Sequence, residues 1–202
     1  MGASRPHTPR QRILSFGIRF LKWMFLFLRI RIMEKISSWH VGISAEAFAA
    51  AVLARCGYKV SVQYGANQPE YDLIAETGGK TLNISVKGSQ DGKWGLTQKY
   101  KKNCDYHEAI DKWQKAHHKK TVFCFVQFQN TAIDELPRIY FATPNEIAKV
   151  LHNEAGGRGE TILFENHRWT RRAEACGTTD IIPDEWKFSA ERLQALFEEY
   201  GK

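Results

Sequence analysis

Asp72 and Lys87 are the two residues whose types and spacing point to chemistry, and Glu46 precedes them on a predicted helix. Alternate residues of an extended strand share a face, so Ser85 and Lys87 lie on the same side of their strand. An acid at position 85 would complete, with Asp72 and Lys87, a site that binds a divalent metal and hydrolyses phosphodiester bonds. Serine occupies that position. The pattern therefore indicates a metal-assisted phosphodiesterase site that lacks one acid.

Alternating helices and strands are predicted to position these residues. The helix that carries Glu46 is predicted to begin at the N-cap Ser44, and its macrodipole alone would also favour a carboxylate there. A second helix separates the last two strands, which predicts that these strands are parallel neighbours in one sheet. The predicted elements are a helix at 44–56, strands at 58–63, 70–75 and 81–87, a helix after Asp105 and a strand at 122–128.

The C-terminal part continues the α/β pattern. A short strand at 139–142 precedes a helix whose start has a capping box at Thr143–Glu146 and Pro144 in the first turn. Another strand at 161–165, a polar loop and a helix that begins at Ser189 follow. We interpret residues 33–202 as one α/β domain with a core at about 40–128 and a C-terminal α/β elaboration, behind a basic segment at 1–32.

The formal net charge of +7 is concentrated at the N-terminus. Residues 1–32 hold seven Lys and Arg and no acid, which leaves 22 basic and 22 acidic residues for the rest of the chain. As a helix, residues 12–33 would place a basic stripe opposite a wide apolar face, which is the pattern of a helix in an anionic membrane surface. Two alternatives stay open: the segment docks a partner, or translation begins at Met33 and the segment is not made.

A second, local excess of positive charge follows the candidate site. Residues 87–120 contain nine Lys and four acids. Such a patch can neutralise the phosphates of a nucleic acid, and it can equally be a solvated helix face with a basic loop. We interpret His117-His118 as a solvated helix end, since Lys115, Lys119 and Lys120 make it a poor place for a cation. We interpret Trp94 as packing this loop against the sheet. The candidate nucleic-acid-binding residues are Lys93, Lys99, Lys101 and Lys102.

These motifs give the chain a resemblance to the PD-(D/E)XK nuclease superfamily. Its small bacterial branch has a "YDL … VK" signature, which Tyr71-Asp72-Leu73 and Val86-Lys87 match here. Ser44-Ala45-Glu46 on the first helix and Gln90, three residues after Lys87, also match. The resemblance covers residues 40–128 and implies a restriction-endonuclease-like core, α-β-β-β-α-β, with a mixed central sheet flanked by helices.

The resemblance also implies a function and a role for each residue. It implies a Mg²⁺- or Mn²⁺-dependent endonuclease that acts on DNA, with a homodimer as one arrangement that cuts both strands. Asp72 would be the central metal ligand, and Glu46 would reach the metal from its helix. Lys87 would lie near the attacking water, and Gln90 would hold the site or contact substrate.

Ser85 departs from the superfamily pattern, which has Asp or Glu at this position. A hydroxyl is a weak neutral ligand, so the affinity for Mg²⁺ should fall. Glu70 lies two residues before Asp72 and would share its face in an extended segment, so it is a third candidate metal ligand. Two further hypotheses stay open: a catalytically impaired module that binds nucleic acid without cutting it, and a membrane-surface protein.

The four cysteines indicate the compartment. Cys56, Cys104, Cys124 and Cys176 show no C-x-x-C pairing and no histidine at zinc-ligand spacing. Cys56 and Cys124 fall on apolar elements and are predicted to be free thiols in the core. A reducing, cytoplasmic setting fits this pattern.

Overall fold

A computed structural model of the chain describes residues 36–63, 70–117, 121–170 and 175–201. These ranges contain four α-helices and nine β-strands. The α-helices are α1 (Ser38–Arg55), α2 (Tyr106–Ala116), α3 (Pro144–Asn153) and α4 (Ala190–Tyr200). The strands are β1 (Lys59–Val62), β2 (Leu73–Thr77), β3 (Lys80–Ser89), β4 (Lys93–Gly95), β5 (Thr121–Gln127), β6 (Arg138–Ala142), β7 (Ile162–Phe164), β8 (Asn166–Arg168) and β9 (Thr179–Ile181).

The centre of the fold is a five-stranded mixed sheet. Its strand order is β1-β2-β3-β5-β6. Strands β3 and β5 are parallel, as predicted from the helix between them, and the other neighbouring pairs are antiparallel. The carboxyl ends of β3 and β5 and the start of β2 therefore meet at one edge of the sheet.

Helices cover both faces of this sheet. On one face, α1 and α4 pack against the predicted apolar side of β3, whose buried residues are Leu82, Ile84 and Val86. On the other face, α2, α3 and the short strands β4 and β7 pack against aromatic residues of β5 such as Phe123 and Phe125. The mixed central sheet flanked by helices that the sequence predicts is confirmed.

Helix α1 begins six residues earlier than predicted. Ser38, not Ser44, is its first residue, because the buried stripe of Val41, Ala45 and Ala49 continues the helical period towards the N-terminus. Packing against the sheet thus overrides the capping signal at Ser44. Glu46 consequently lies in the third turn of α1, where the macrodipole no longer acts, so the helix dipole does not explain a carboxylate there.

Several strand boundaries also differ from the predicted ones, because pairing with a distant strand determines where each strand begins. Strand β2 begins at Leu73 rather than at Glu70, since Leu73 is the first residue of β2 in register with β3. The predicted basic loop after β3 contains β4, because Trp94 pairs with Leu163 of β7 and is buried. The predicted polar loop after residue 165 contains the antiparallel pair β8 and β9.

The caps predicted for two helices are confirmed. The Asp105 side chain accepts a hydrogen bond from the backbone N–H of Glu108 at the start of α2. At the start of α3, Thr143 and Glu146 form the complete capping box. These two helices flank β5 and β6, so the caps fix the ends of the layer that covers the second face of the sheet.

The N-terminal segment falls outside this description. The predicted amphipathic helix at 12–33 and the alternative start at Met33 lie outside the described residues, and their predictions stay open. Within the ranges that the structure describes, no helix is both long enough and apolar enough to cross a bilayer.

Gly88 sets the approach of α1 to the sheet. A Cβ atom at this position would lie 2.8 Å from the backbone oxygen of Val41 and 2.9 Å from the Cβ of Ala45. Backbone and Cβ atoms cannot move aside as the end of a long side chain can, so the helix as a whole would have to shift. Only glycine at this position lets α1, with Glu46 on its next turn, lie this close to β3.

We expect Gly88→Ala to lower the free energy of unfolding by about 1–3 kcal/mol, the usual cost of overpacking. Urea denaturation of the full chain measures this effect. Gly42→Ala in α1 is the control, because no atom lies within 4 Å of its added Cβ. The control should raise stability by about 0.5–1 kcal/mol, since alanine favours a helix over glycine. Equal effects of the two substitutions would contradict the close approach of α1.

Candidate active site

Glu46, Asp72 and Lys87 lie close together at the edge where β3 ends and β2 begins. Partial burial raises the pKa of the Glu46 carboxyl above its usual value, the charge of Asp72 raises it further, and the charge of Lys87 opposes both. The charges of Asp72 and Lys87 can shift this pKa only if both side chains lie near the half-buried Glu46 carboxyl. The structure therefore brings together the three residues that the sequence singled out from a helix and two strands.

Backbone hydrogen bonds hold Asp72 at this edge. Its N–H donates to the carbonyl of Ile84 at 2.9 Å, and its own carbonyl accepts the N–H of Gln63 at 2.9 Å. The side-chain Oδ2 accepts the N–H of Val86 at 2.6 Å. The carboxylate is thus oriented by β3 itself, one residue from Lys87.

Ser85 occupies the position where the resemblance expects an acid. It lies between Ile84, whose carbonyl accepts the N–H of Asp72, and Val86, whose N–H donates to the Asp72 carboxylate. Ser85 is 2% exposed and lies on the same face of β3 as Lys87. The buried hydroxyl leaves this part of the site without a formal charge.

The acids present suit a hard divalent cation. Across the described parts of the chain, no group of three or more His, Cys, Asp and Glu side chains is placed to hold a metal ion. Mg²⁺ needs fewer protein ligands than that, because it keeps several waters and commonly binds one or two carboxylates together with substrate phosphates. The oxygen donors of Glu46 and Asp72 fit this requirement, and their role as ligands stays a prediction.

Glu70 lies near a histidine that the sequence analysis had placed in solvent. Its Oε1 is 3.7 Å from Nε2 of His117, whose side chain is only 11% exposed. The imidazole packs against the rings of Trp113 and Phe123, with centroid distances of 4.4 and 5.1 Å. The prediction of a solvated helix end at His117 is therefore wrong.

His117 was missed because its environment comes from different parts of the chain. The only local signal was its position four residues after Trp113, which places both on one face at the end of α2. Burial lowers the pKa of His117, while its hydrogen bond to the Trp113 carbonyl and the charge of Glu70 oppose this effect. The charges of Lys99 and Lys87 lower the pKa further.

Lys87 acts on two pairs of side chains, Glu46 with Asp72 and His117 with Glu70. Its charge acts on Glu46, which lies beside Asp72, and on His117, which lies beside Glu70. The aliphatic stem of Lys87 rises from the same face of β3 as Ser85, in register with Phe125 of β5. Lys87 thus acts electrostatically on a carboxyl from α1 and on an imidazole from the end of α2.

The remaining candidate residues follow β3 along the edge of the sheet. Gln90 is half-buried directly after the strand, and Lys93 is exposed and forms an ion pair with Asp91 at 3.7 Å. Lys99 and Lys102 are exposed, and the ammonium group of Lys101 lies 3.5 Å from the ring centroid of Tyr106. The charge of Lys99 lowers the pKa of His117, so this lysine lies near Lys87, which acts on the same imidazole.

Trp94 does not take part in this surface. Its side chain is buried and packs against the rings of Phe125 and Tyr140, at centroid distances of 5.2 and 6.3 Å. The prediction that Trp94 packs the loop against the sheet is confirmed. Stacking of this indole on a nucleic-acid base would require the loop to open.

A buried polar network fixes the turn that leads out of β3. Gln127, fully buried at the end of β5, donates from Nε2 to the Ser89 hydroxyl at 3.2 Å. The same hydroxyl accepts the backbone N–H of Lys93 at 3.3 Å. The carboxyl ends of β3 and β5 are thus joined through side chains, which sets the path of the segment that carries Gln90. No local pattern in the sequence indicates this network, because Ser89 and Gln127 are 38 residues apart.

The chain is similar to known proteins in structure, not in sequence. No protein-family model matches the chain, and no curated protein matches it in sequence. Among solved structures, the fold is similar to that of a bacterial homing endonuclease, I-Ssp6803I. The TM-score is 0.44 and the identity is 11%, over 81% of this chain and 95% of the other.

Proposed function

We propose that this domain is a nuclease that hydrolyses phosphodiester bonds in DNA with a divalent metal ion, Mg²⁺ or Mn²⁺. The observation that carries the proposal is the placement of Lys87 beside the paired carboxylates of Glu46 and Asp72 at one edge of the sheet. These three residues come from separate elements of the fold. DNA is the substrate that the resemblance of the motifs implies.

Each residue has a role in this proposal. Glu46 and Asp72 would hold the cation, which when bound supplies an acidified water and stabilises charge on the phosphate. The hydrogen bond from the Val86 N–H to Asp72 holds this carboxylate in one orientation, so no reorganisation is needed on binding. Lys87 places a positive charge next to the carboxylates, where it would orient the attacking water and stabilise the developing charge on the phosphate.

The surface beside the site suits a polyanion. Lys99 and Lys102 are exposed, and Lys99 acts electrostatically on the site itself through His117. Exposed lysines that neutralise phosphates release condensed counterions, so binding through this surface should weaken steeply with salt. Gln90, at the exit of β3, is positioned to contact the strand that is cut or to hold the site.

The test is cleavage of supercoiled plasmid and of branched and single-stranded DNA by the full chain in Mg²⁺, Mn²⁺ or EDTA. We expect nicking that requires the metal and that is lost in Asp72→Ala. The matched control is Asp91→Ala, which removes an exposed carboxylate that is paired with Lys93. Metal-independent nicking, or equal nicking by both variants, would contradict the proposal.

A second candidate function is a module of the same fold that binds nucleic acid without cutting it. Ser85 and the lack of a third converging ligand in the described residues favour this alternative. A folded protein that shows salt-sensitive DNA binding in every metal condition and no cleavage would support the binding module over the nuclease.

A further inference from the structure

One side of α1 is apolar and exposed. Trp39 is 67% exposed and Ile43 is 47% exposed, and their spacing of four residues places them on the same side of the helix. The exposed residues that continue this side towards the end of α1 are Ala47, Ala51 and Ala54. These five residues form the outer face of α1, which is about 22 Å long at the helical rise of about 1.5 Å per residue.

The other three helices present charged residues to water instead. Exposed residues of this kind include Asp111 of α2, Lys149 of α3 and Glu198 of α4. That is the usual composition of a surface helix, which keeps its apolar residues for the core. In α1, by contrast, the charged residues are Glu46, half-buried beside the candidate site, and Arg55, the last residue. An exposed apolar surface of this extent marks a place where another molecule binds.

The chain that precedes α1 supplies positive charge. Residues 1–32 hold seven Lys and Arg and no acid, and this segment ends seven residues before Trp39. An anionic membrane surface attracts this combination, because clustered cations are drawn to its headgroups while Trp and Ile side chains enter the boundary between headgroups and acyl chains. Tryptophan in particular is enriched at that boundary. A nucleic acid would use the cations and leave Ile43 and the alanines of the outer face in water.

We propose that the outer face of α1 is a contact surface for an anionic lipid bilayer. In this arrangement α1 lies in the plane of the membrane surface, and Trp39 and Ile43 enter the headgroup region. His40 meets the Trp39 ring edge-on at a centroid distance of 4.9 Å, and its polar tip can stay in water beside the embedded indole. The charge part of the argument requires residues 1–32 to be present in the protein.

The contact surface and Lys87 lie on different sides of the central sheet. Helix α1 packs its buried residues against the side of β3 that carries Ile84 and Val86. Lys87 alternates with these residues and is on the other side of the strand. A bilayer on the outer face of α1 is thus separated from Lys87 by the helix and the sheet, and the inference does not depend on the proposed function.

Co-sedimentation of the full chain with vesicles of phosphatidylcholine, with and without phosphatidylserine, tests the surface. We expect binding that requires phosphatidylserine and that weakens as the salt concentration rises. Trp39→Ser should weaken this binding by about 10-fold or more, and Ile43→Ser by less, because Ile43 is smaller and less exposed. Ile181→Ser is the matched control, because Ile181 is 60% exposed and its neighbour Ile182 packs on the other side of the central sheet.

A conservative variant reports on Trp39 directly and covers a failure of Trp39→Ser to fold. Vesicles whose acyl chains carry bromine quench the fluorescence of tryptophans that enter the bilayer. Trp39→Phe keeps an apolar ring and should still bind these vesicles, and its fluorescence should be quenched less than that of the wild-type chain.

Several outcomes would overturn the contact surface. Equal binding of Trp39→Ser and Ile181→Ser would do so, as would equal quenching of the wild type and Trp39→Phe. A wild-type chain that binds no phosphatidylserine vesicles but self-associates through Trp39 would assign the outer face to a second copy of the chain. Mass spectrometry that finds Met33 as the first residue of the chain in its own cells would remove the charge that attracts the membrane. A chain that binds vesicles and cuts no DNA keeps the contact surface and loses the nuclease proposal.

Discussion

Lys87→Met should reduce metal-dependent nicking of DNA by about 100-fold or more, the usual cost of removing one group that stabilises charge in a transition state. Methionine keeps most of the aliphatic stem and removes the ammonium group, so the packing of β3 should survive. Single-turnover cleavage of plasmid at saturating Mn²⁺ measures the loss. Lys59→Met is the matched control, since Lys59 is exposed on β1 and pairs with Glu76 at 3.5 Å. Equal activity of the two variants would remove Lys87 from the mechanism.

The same substitution has a second readout that does not depend on activity. The charge of Lys87 lowers the pKa of Glu46, whereas the charge of Asp72 raises it. Carbon-13 NMR titration of the Glu46 carboxyl should therefore show a higher pKa in Lys87→Met and a lower pKa in Asp72→Asn than in the wild-type chain. Shifts of the same sign, or no shift, would mean that the three side chains do not share one site in solution.

The parts of the fold that depend on short-range pattern could be predicted from the sequence. Alternation along β3 placed Ile84 and Val86 in the core and Ser85 and Lys87 on the other face, and the structure confirms both placements. The capping box at Thr143 and the N-cap Asp105 were likewise predicted from the sequence, and the structure confirms both. In each case the deciding interaction lies within a few residues, so no knowledge of distant contacts was needed.

The parts that depend on packing between distant segments could not be predicted. Ser44 is a good N-cap residue, yet burial of Val41 against the sheet extends α1 past it. His117 reads as polar from its lysine-rich neighbours, yet it is buried because Trp113 and Phe123 flank it in space. The candidate site combines both kinds of residue, which is why the sequence placed Asp72 and Lys87 in it and missed His117.

Glu154 is a buried acid that lies outside the candidate site. It is 3% exposed, and in the part of the chain that the structure describes its Oε2 has no hydrogen-bond partner. Burial, followed by the charges of Asp180 and Glu160, raises the pKa of Glu154 to about 9, against a partial opposing effect of the Phe164 backbone. The carboxyl is therefore protonated at neutral pH in the folded chain and ionised in the unfolded chain.

This difference makes the stability of the fold depend on pH. Because the folded pKa lies above the unfolded value of 4.5, the contribution of Glu154 is fully present below pH 4.5 and is lost as the pH rises to about 9. Over this range the unfolded chain releases a proton that the folded chain keeps, so the free energy of unfolding falls with increasing pH. Each unit of pKa difference corresponds to about 1.4 kcal/mol, and relaxation of the buried site reduces the total.

Glu154→Gln should remove this dependence, since the amide keeps the shape of the side chain and carries no charge at any pH. As the pH rises from 5 to 8, the wild-type chain loses stability and the variant does not. We therefore expect the difference in the free energy of unfolding between variant and wild type to grow by on the order of 2–3 kcal/mol over this range. Urea denaturation at pH 5, 6.5 and 8 measures the change, with Glu185→Gln as the control at an exposed carboxylate. Asp180→Asn should reduce the pH dependence in part, because the charge of Asp180 contributes to the raised pKa. Parallel pH profiles for the wild type and Glu154→Gln would mean that the Glu154 carboxyl is paired or solvated in solution.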